Sequence, residues 1–326
     1  MSTEKTISTP LSPHLGLKIE NKNGACVTDL DVSQVKQWLD EYGVLVFRGF
    51  ANDADAFKTF TDQYTYEFST YQGGGFRFGM FNRESVDSTE TILTVTGHTQ
   101  GFSIPLHGEM YYLKHRPSIL WFYCDNPPRK GGATTVCDGV QIFNNLSPQT
   151  QSFFESNSIQ YIRYLSDGDW QTAFQTDDID EMQRFCAAND TQVTINPEDG
   201  SVSTSFTTSA LNRTSGTEKK SFINNILNIF VAEWAFNSGW VKQNLGSDVG
   251  SQCPMVVRVG EGTPLPSEIY QEVTETAERL TVNMDWQKGD ILMVDNTRVM
   301  HGRRETNDSD RSIFVRMGEF VNGIPQ

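Results

Sequence analysis

Three residues, far apart in the sequence, are of types that bind transition metals. His107 and Glu109 are separated by a single glycine, and His301 lies near the end of the chain. Side chains two positions apart on a β-strand point to the same face. His107 and Glu109 can therefore direct an imidazole nitrogen and a carboxylate oxygen at one point. Two histidines and one carboxylate, with further positions left open, form the ligand set expected of a non-haem iron(II) oxygenase.

Two predicted strands must bring these ligands together. The apolar run 119–123 follows the first two candidates, and the run 290–294 leads toward His301. The same three side chains have two other interpretations. They could be zinc ligands of a cupin-type hydrolase or isomerase, with water in the open position. Alternatively, they could be structural residues of a jelly-roll binding module that has no catalytic activity.

The composition favours a protein that acts on small molecules. The chain has 326 residues, of which 37% are hydrophobic, and its formal net charge is -15. This length is sufficient for one large domain with a substantial core. An acidic surface repels phosphate backbones and anionic membranes. We therefore expect a small-molecule substrate and neither a nucleic-acid nor a membrane partner, while the oligomeric state cannot be read from the sequence.

The cysteines and the N-terminus favour a cytoplasmic location. The number of cysteines is odd and no C-x-x-C pair occurs, which argues against a zinc ribbon or a disulfide framework. The first residues lack the apolar segment of a signal peptide, and no apolar run has the length of a membrane span. The five cysteines are Cys26, Cys124, Cys137, Cys186 and Cys253.

The order of the predicted elements indicates one domain with an insertion. Residues 1–13 are polar, contain two prolines and are predicted to form an untethered tail. Residues 14–326 are predicted to form a single domain, interrupted by a mostly helical insertion at about 140–250. Apolar spacing and composition predict helices, which we place at 32–39, 54–64, 178–188, 219–237 and 267–279.

Several further segments resemble a known family when they are taken together. The chain is similar to the TauD/TfdA branch of Fe(II)/2-oxoglutarate-dependent dioxygenases, and most similar to the clavaminate synthase-like members. The resemblance implies a fold that is mainly β with flanking helices, namely a double-stranded β-helix (jelly roll) with a helical insertion. In family order, the matching segments are 43–50, 105–110, 122–124, 131–134, 286–292, 295–296 and 301–304.

The resemblance also implies roles for individual residues. His107, Glu109 and His301 match the iron ligands, and Thr134, after the paired glycines, matches a residue that contacts 2-oxoglutarate. The family places an arginine about ten to fifteen residues after the second histidine, where it pairs with the distal carboxylate of 2-oxoglutarate. A planar guanidinium suits this role because it can bind both carboxylate oxygens.

Two arginines are candidates for that cosubstrate contact. Family members often have two arginines four positions apart, whereas Arg311 and Arg316 are five apart. On a regular strand this spacing places them on opposite faces, unless a bulge intervenes. We expect Arg311 to bind 2-oxoglutarate. Arg316 is then a substrate contact, or else it is the cosubstrate arginine itself.

The implied activity is oxidation of an unactivated C–H bond of a small molecule. Fe(II), 2-oxoglutarate and O2 would be required, and 2-oxoglutarate would be decarboxylated to succinate and CO2. Hydroxylation, desaturation and oxidative cyclisation all remain open. Because Arg163, Arg213 or Arg316 could bind a carboxylate, we expect an amino acid or an amino-acid-derived metabolite.

Overall fold

The structure of the protein is a computed structural model, and it contains the strands that carry the predicted ligands. It describes residues 6–22, 24–50, 52–74, 83–89, 91–95, 102–214, 219–245, 253–260 and 262–320. Within these ranges the secondary structure alternates between strands and helices along the whole chain. The sheet-rich architecture with helices agrees with the fold class that the sequence predicts.

The strands are numbered in chain order. They are β1 (Thr6–Pro10), β2 (Leu17–Asn21), β3 (Val44–Arg48), β4 (Leu93–Thr94), β5 (Ile104–His107), β6 (Ile119–Asn126), β7 (Thr134–Asp138), β8 (Ser158–Leu165), β9 (Gln192–Ile195), β10 (Val202–Ser209), β11 (Leu211–Arg213), β12 (Lys220–Phe222), β13 (Met255–Val259), β14 (Val282–Met284), β15 (Ile291–Asp295), β16 (Val299–Arg303) and β17 (Ser312–Gly318).

The helices surround these strands. They are α1 (Val32–Tyr42), α2 (Ala54–Asp62), α3 (Gly139–Asn145), α4 (Pro148–Ser156), α5 (Asp169–Phe174), α6 (Ile179–Ala188), α7 (Ile226–Asn237), α8 (Trp240–Leu245) and α9 (Ser267–Leu280), with a short 3-10 turn at Val27–Asp29. None of the helices in the described ranges combines the length and apolar character needed to cross a bilayer.

Two sheets position the predicted site. The larger sheet has the strand order β1-β2-β3-β15-β6-β17-β4, and the smaller one has the order β14-β7-β16-β5. All neighbouring strands in them are antiparallel except β2 and β3. The strand that carries His301, β16, therefore lies between the strand that carries Thr134 and the strand that carries His107.

The alternation of side chains along β3 shows how the layers are built. Val44 and Val46 belong to the apolar cluster that also contains Val136 and Val299 of the smaller sheet. Their neighbours on β3 face the opposite way and pack in the cluster formed with α1 and α2. Because successive strand side chains alternate between faces, β3 is buried on both sides.

The smaller sheet is covered by helices on its outer face. Met300 packs in a cluster with Ile142 of α3 and Val273 of α9. Its neighbour Val299 packs instead in the cluster shared with the larger sheet. His301 has the same strand parity as Val299. The alternation therefore directs the histidine toward the larger sheet and away from the helices.

The segment predicted to be a mostly helical insertion also contains a sheet. Strands β8, β9 and β10 join β13 in the order β13-β8-β10-β9, and β11 pairs with β12. The prediction of a helix over 219–237 is wrong at its start, because Lys220–Phe222 forms β12 and α7 begins at Ile226. The backbone at β12 is paired with β11, a long-range contact that helical propensity does not report.

The predicted untethered tail is also partly wrong. Residues 6–10 form β1, which pairs with β2 along its whole length. Thr6 and Pro10 lie opposite Asn21 and Leu17, respectively. The polar, proline-containing composition of this segment is compatible with an edge strand, because such a strand leaves one side of its backbone unpaired.

Gly302 allows the strands around the two histidines to approach closely. A β-carbon at this position would lie 2.5 Å from the carbonyl oxygen of Ile104 on β5 and 2.8 Å from the hydroxyl oxygen of Thr135 on β7. The first contact is with backbone, so a rotamer change cannot relieve it. Any larger residue at position 302 must push β5 away from β16.

We predict that Gly302→Ala lowers the free energy of unfolding by about 1–3 kcal/mol, the usual cost of overpacking. It should also weaken metal binding, because the displaced strands carry His107 and His301. Urea denaturation and an Fe(II) titration measure the two effects. As a control, Thr207→Ala at an exposed strand position should change stability by no more than about 0.5 kcal/mol. Equal stability of Gly302→Ala and the control would contradict the prediction.

Candidate active site

The pairing of β5 with β16 brings the two predicted histidine ligands together. His301 lies directly opposite His107 in the antiparallel register. Their ring centroids are 4.4 Å apart and the ring planes are inclined by 46°. The register is irregular between His301 and Arg303. Residues almost 200 positions apart thus become neighbours through a single strand pair.

Glu109 follows β5 and faces the same point. Its carboxylate oxygen Oε2 lies 3.5 Å from Nε2 of His301. One potential ligand atom from each of His107, Glu109 and His301 can be chosen so that all three lie within 4.8 Å of one another. The structure therefore brings together the three residues that the sequence predicts as metal ligands.

The backbone between these ligands requires a glycine. Gly108 donates its N–H to the carbonyl oxygen of Asn224 at 2.9 Å. A β-carbon at position 108 would overlap the ring of Tyr111 and the side chain of Ile223. The residue between the two predicted ligands is therefore constrained by packing.

His107 is held in the form that binds metals. Its Nδ1 lies 2.9 Å from the carbonyl oxygen of Pro105, so Nδ1 carries the proton and donates it, and Nε2 keeps its lone pair. Burial, followed by the proximity of His301, lowers the pKa of His107 to about 4. The imidazole is therefore neutral near pH 7, as metal coordination requires.

Glu109 is held in its charged form. Burial is the largest influence and would raise the pKa of this carboxyl group, but Arg83 and the two histidines together lower it well below the usual range. Arg83 donates from Nη2 to Oε2 of Glu109 at 2.7 Å. The site thus presents a carboxylate and a neutral imidazole, which are the protonation states of metal ligands.

Thr134 and Arg311 line the same pocket as the three predicted ligands. The hydroxyl oxygen of Thr134 accepts a hydrogen bond from Nε1 of Trp286 at 3.0 Å, so its own proton remains available to a ligand. Arg311 donates from Nε to the carbonyl oxygen of Gly132 at 3.1 Å. Its Nη1 is buried and has no hydrogen-bond partner among the described residues.

Arg311 is charged despite its burial. Desolvation, reinforced by the nearby charge of Arg303, lowers its pKa to about 10. The guanidinium therefore remains protonated near pH 7. A buried cation with an unused donor is an unfavourable arrangement unless a ligand supplies an acceptor, and a carboxylate is the acceptor that best matches a guanidinium.

The chain matches a family model over residues 8–317, which is nearly its whole length. The model is described as "Taurine catabolism dioxygenase TauD, TfdA family". The chain belongs to the TauD/TfdA family. The resemblance expected from the sequence is therefore confirmed, and the chain is a member of a family of dioxygenases.

Two relatives extend the family match. A clavaminate synthase-like protein of Arabidopsis thaliana is 25% identical over 279 residues, covering 82% of this chain and 78% of that protein. The dapdiamide synthesis protein DdaC of Enterobacter agglomerans is 25% identical over 315 residues, covering 94% of this chain and 91% of that protein. At 25% identity, both matches support the family assignment and nothing narrower.

Solved structures show that the fold is shared as well. PvcB, described as an Fe, alpha-ketoglutarate dependent oxygenase from an isonitrile synthetic pathway, superimposes with a TM-score of 0.58 at 15% identity, covering 98% of this chain and 94% of that one. A taurine dioxygenase from Burkholderia xenovorans gives a TM-score of 0.57 at 14% identity, with coverages of 98% and 96%. At these identities the likeness concerns the fold of this TauD/TfdA member.

Arg316 is not among the described residues that line the pocket, contrary to both roles that the sequence suggests for it. Its Nη1 donates to Asp62 Oδ1 at 2.6 Å and to Thr61 Oγ1 at 2.7 Å. Its guanidinium carbon lies 3.4 Å from the centroid of the Phe68 ring. The five-residue spacing does place Arg311 and Arg316 on opposite faces of the sheet. The hydrogen bonds of Arg316 connect β17 to α2. These contacts support a role for Arg316 in packing α2 against β17 and not a role in binding cosubstrate or substrate.

The sequence analysis missed Asn296, which positions Glu109. Its Oδ1 accepts the backbone N–H of Glu109 at 2.9 Å, and its Nδ2 donates to the carbonyl oxygens of Glu109 at 3.2 Å and Pro117 at 2.6 Å. The residue after Glu109, Met110, has a φ of 59°, a left-handed conformation that costs energy outside glycine. Asn296 stabilises this turn. The sequence signal for this role is that Asn296 directly follows a buried strand.

The sequence analysis also missed Arg83, which forms the ion pair with Glu109 described above. The segment around it has no periodicity, and its partner lies 26 positions away. Arg163 and Arg213, which were considered as carboxylate-binding residues, do not line this pocket. Arg163 donates from Nη1 to the carbonyl oxygen of Gly73 at 2.7 Å.

We predict that Asn296→Asp lowers the free energy of unfolding by about 2–4 kcal/mol. The substitution preserves size but replaces two buried donors by acceptors that face carbonyl oxygens. It should also weaken Fe(II) binding, because the backbone of Glu109 loses its support. Chemical denaturation and metal titration test both effects. Asn145→Asp, at an exposed helix position, is the matched control, and a loss no larger than that of the control would refute the role of Asn296.

Proposed function

We propose that this chain is an Fe(II)/2-oxoglutarate-dependent oxygenase that oxidises a C–H bond of a small molecule. The observation that carries the proposal is the convergence of His107, Glu109 and His301 in one pocket with Thr134 and Arg311. Family membership supports the same reaction class. Each of the five side chains then has a separate function, either in metal binding or in cosubstrate binding.

The three ligand residues suit iron(II) in their chemistry. Two imidazole nitrogens and one carboxylate oxygen, all placed on one side, leave positions open on the other side of an ion. His107 is oriented by Pro105 and Glu109 by Asn296, as is usual for metal ligands. When bound there, iron with O2 supplies the oxidising chemistry, at the expense of 2-oxoglutarate, which yields succinate and CO2.

Arg311 and Thr134 are the proposed contacts for 2-oxoglutarate. The free Nη1 donor of Arg311 and the hydroxyl group of Thr134 can both donate to the distal carboxylate. The zinc-hydrolase and structural interpretations do not account for Arg311, a buried cation with an unused donor beside the ligand cluster. The dioxygenase proposal accounts for it as the partner of the 2-oxoglutarate carboxylate.

The substrate is proposed to be an amino acid or an amino-acid-derived metabolite. Among the relatives, DdaC is a dapdiamide synthesis protein and PvcB belongs to an isonitrile synthetic pathway, which supports a role in small-molecule synthesis. Hydroxylation, desaturation and oxidative cyclisation all start from the same C–H bond and share this site.

We propose that the two facing sheets form a double-stranded β-helix, and that residues 14–326 are one domain with the 140–250 segment inserted. The apolar cluster that the two sheets share supports a common core.

We propose a cytoplasmic location because all five cysteines are free thiols, which suits a reducing compartment.

We predict that anaerobic addition of Fe(II) and 2-oxoglutarate produces a visible charge-transfer band in the wild-type protein. His107→Ala, Glu109→Ala and His301→Ala should each weaken Fe(II) binding by more than about 100-fold, since each removes a direct ligand. His115→Ala is a control because this histidine is exposed and lies outside the pocket. A wild-type spectrum without the band would contradict the proposal, as would full iron affinity in the three variants.

We predict that Arg311→Leu and Arg316→Leu fail in different ways. Arg311→Leu should weaken 2-oxoglutarate binding about 10- to 100-fold because it removes a charged hydrogen-bond donor. Arg316→Leu should leave that affinity unchanged and lower the free energy of unfolding by about 1–3 kcal/mol through the lost contacts to α2. The titration of the visible band and urea denaturation separate the two. An exchange of these phenotypes would reverse the assignment of the two arginines.

A further inference from the structure

Arg83 is a buried cation in the proposed active site that the metal and cosubstrate assignments do not fully use. Its side chain is only 7% exposed, and it lines the pocket together with the three metal-ligand candidates. Two contacts hold it in place. Its Nη2 donates to Glu109 Oε2 at 2.7 Å, and its guanidinium carbon lies 4.6 Å from the centroid of the Tyr71 ring. The guanidinium is therefore oriented before any ligand binds.

Two of its three guanidinium nitrogens have no partner in the described part of the chain. Nε and Nη1 of Arg83 are buried and make no hydrogen bond there. An ionised group that is buried with unused donors is strongly unfavourable. Such an arrangement is expected at binding sites, where an anionic ligand completes the contacts.

The charge of the pocket also favours an anionic substrate. Its described lining residues include one carboxylate, that of Glu109, and three guanidinium groups, those of Arg83, Arg303 and Arg311. Iron(II) and the dianion of 2-oxoglutarate would cancel each other's charge. Two positive charges therefore remain in excess after the metal and the cosubstrate are counted, and burial makes such an excess costly.

Arg83 and Arg311 have different neighbours, so one ligand group need not serve both. Arg83 contacts the carboxylate of Glu109 and the ring of Tyr71. Arg311 donates instead to the carbonyl oxygen of Gly132. With Arg311 assigned to the distal carboxylate of 2-oxoglutarate, Arg83 is left as the cation on the Glu109 side of the pocket.

We propose that Arg83 binds a carboxylate of the substrate through one of its unused donors, Nε or Nη1, beside Glu109, so that the enzyme selects acids over the corresponding neutral amides. The inference rests on the proposed function and deepens it, because it names the anchoring residue and the substrate class. Arg83 thereby fixes the distance between the substrate carboxylate and the metal ligands, which restricts the C–H bonds that can be presented.

The remainder of the substrate has an apolar environment available. Ile104 and Asn228 line the active-site pocket and also an adjoining cavity. That cavity is walled largely by apolar residues, among them Pro105, Val231 and Trp234. Probes for Arg83 should therefore carry a carboxylate at one end and an apolar group at the other.

The test uses matched acids and primary amides: N-acetyl-L-leucine, N-acetyl-L-phenylalanine and 4-phenylbutyrate, each with its amide. Their binding is measured without O2, as perturbation of the visible band of the protein saturated with Fe(II) and 2-oxoglutarate. We expect the wild-type protein to bind at least one acid about 10-fold or more tightly than its amide. Arg83→Gln should reduce that preference to within about twofold, and Arg83→Lys should retain part of it because the charge remains.

Arg311→Gln is the matched control. It should weaken 2-oxoglutarate binding and, at saturating 2-oxoglutarate, keep the preference for acids. At saturating Fe(II), Arg83→Gln should keep its affinity for 2-oxoglutarate within about threefold of the wild-type value, and this retained band also shows that the variant is folded.

The outcomes separate the two proposals. A wild-type protein without the visible band contradicts the oxygenase assignment, and the role of Arg83 falls with it. A normal band with no preference for any acid over its amide overturns the role of Arg83 alone, and so does an unchanged preference in Arg83→Gln. Loss of 2-oxoglutarate affinity in Arg83→Gln would assign the arginine to the cosubstrate instead.

Discussion

The antiparallel register of β5 and β16 is the constraint on which the site depends. It places His301 opposite His107, and the two-residue period of a strand then fixes which neighbours share their face. A slip by one residue would turn a ligand toward the helices on the other side of the sheet. On its other edge, β16 pairs with β7, with His301 opposite Val136. β16 is therefore paired on both edges, with β5 and with β7. Gly302 leaves room for these two strands to lie close to β16.

A second constraint is electrostatic. Glu109 is buried, and a buried carboxylate must be compensated by a cation or by hydrogen bonds. Its backbone is bonded to Asn296, and its side chain is paired with Arg83. The arginine keeps the carboxylate ionised, which metal binding requires, and in turn becomes a buried cation that Glu109 neutralises. Removal of either partner would leave an unpaired charge in a dry environment, where its effect on neighbouring groups is strongest.

The sequence was sufficient for features that depend on local periodicity. Alternation predicted that His107 and Glu109 share a face, and the five-residue spacing predicted that Arg311 and Arg316 do not. Features set by distant contacts were not predictable in this way. β1 is a strand because β2 lies beside it, and β12 is a strand because β11 does. The family resemblance supplied the expectation of two facing sheets, which does not follow from local patterns.

The pocket residues fall into two groups: the proposed metal and cosubstrate contacts on or next to sheet strands, and other lining residues outside the sheets. The metal-ligand candidates and Thr134 lie on or next to paired strands, where neighbouring strands fix the direction of each side chain. Arg83 lies outside the named strands, and Asn225 and Asn228 come from the start of α7, within the segment proposed as an insertion. Segments outside a sheet can change in length and sequence without altering strand register. One scaffold can therefore keep its iron and cosubstrate residues while the remaining wall adapts to a new substrate.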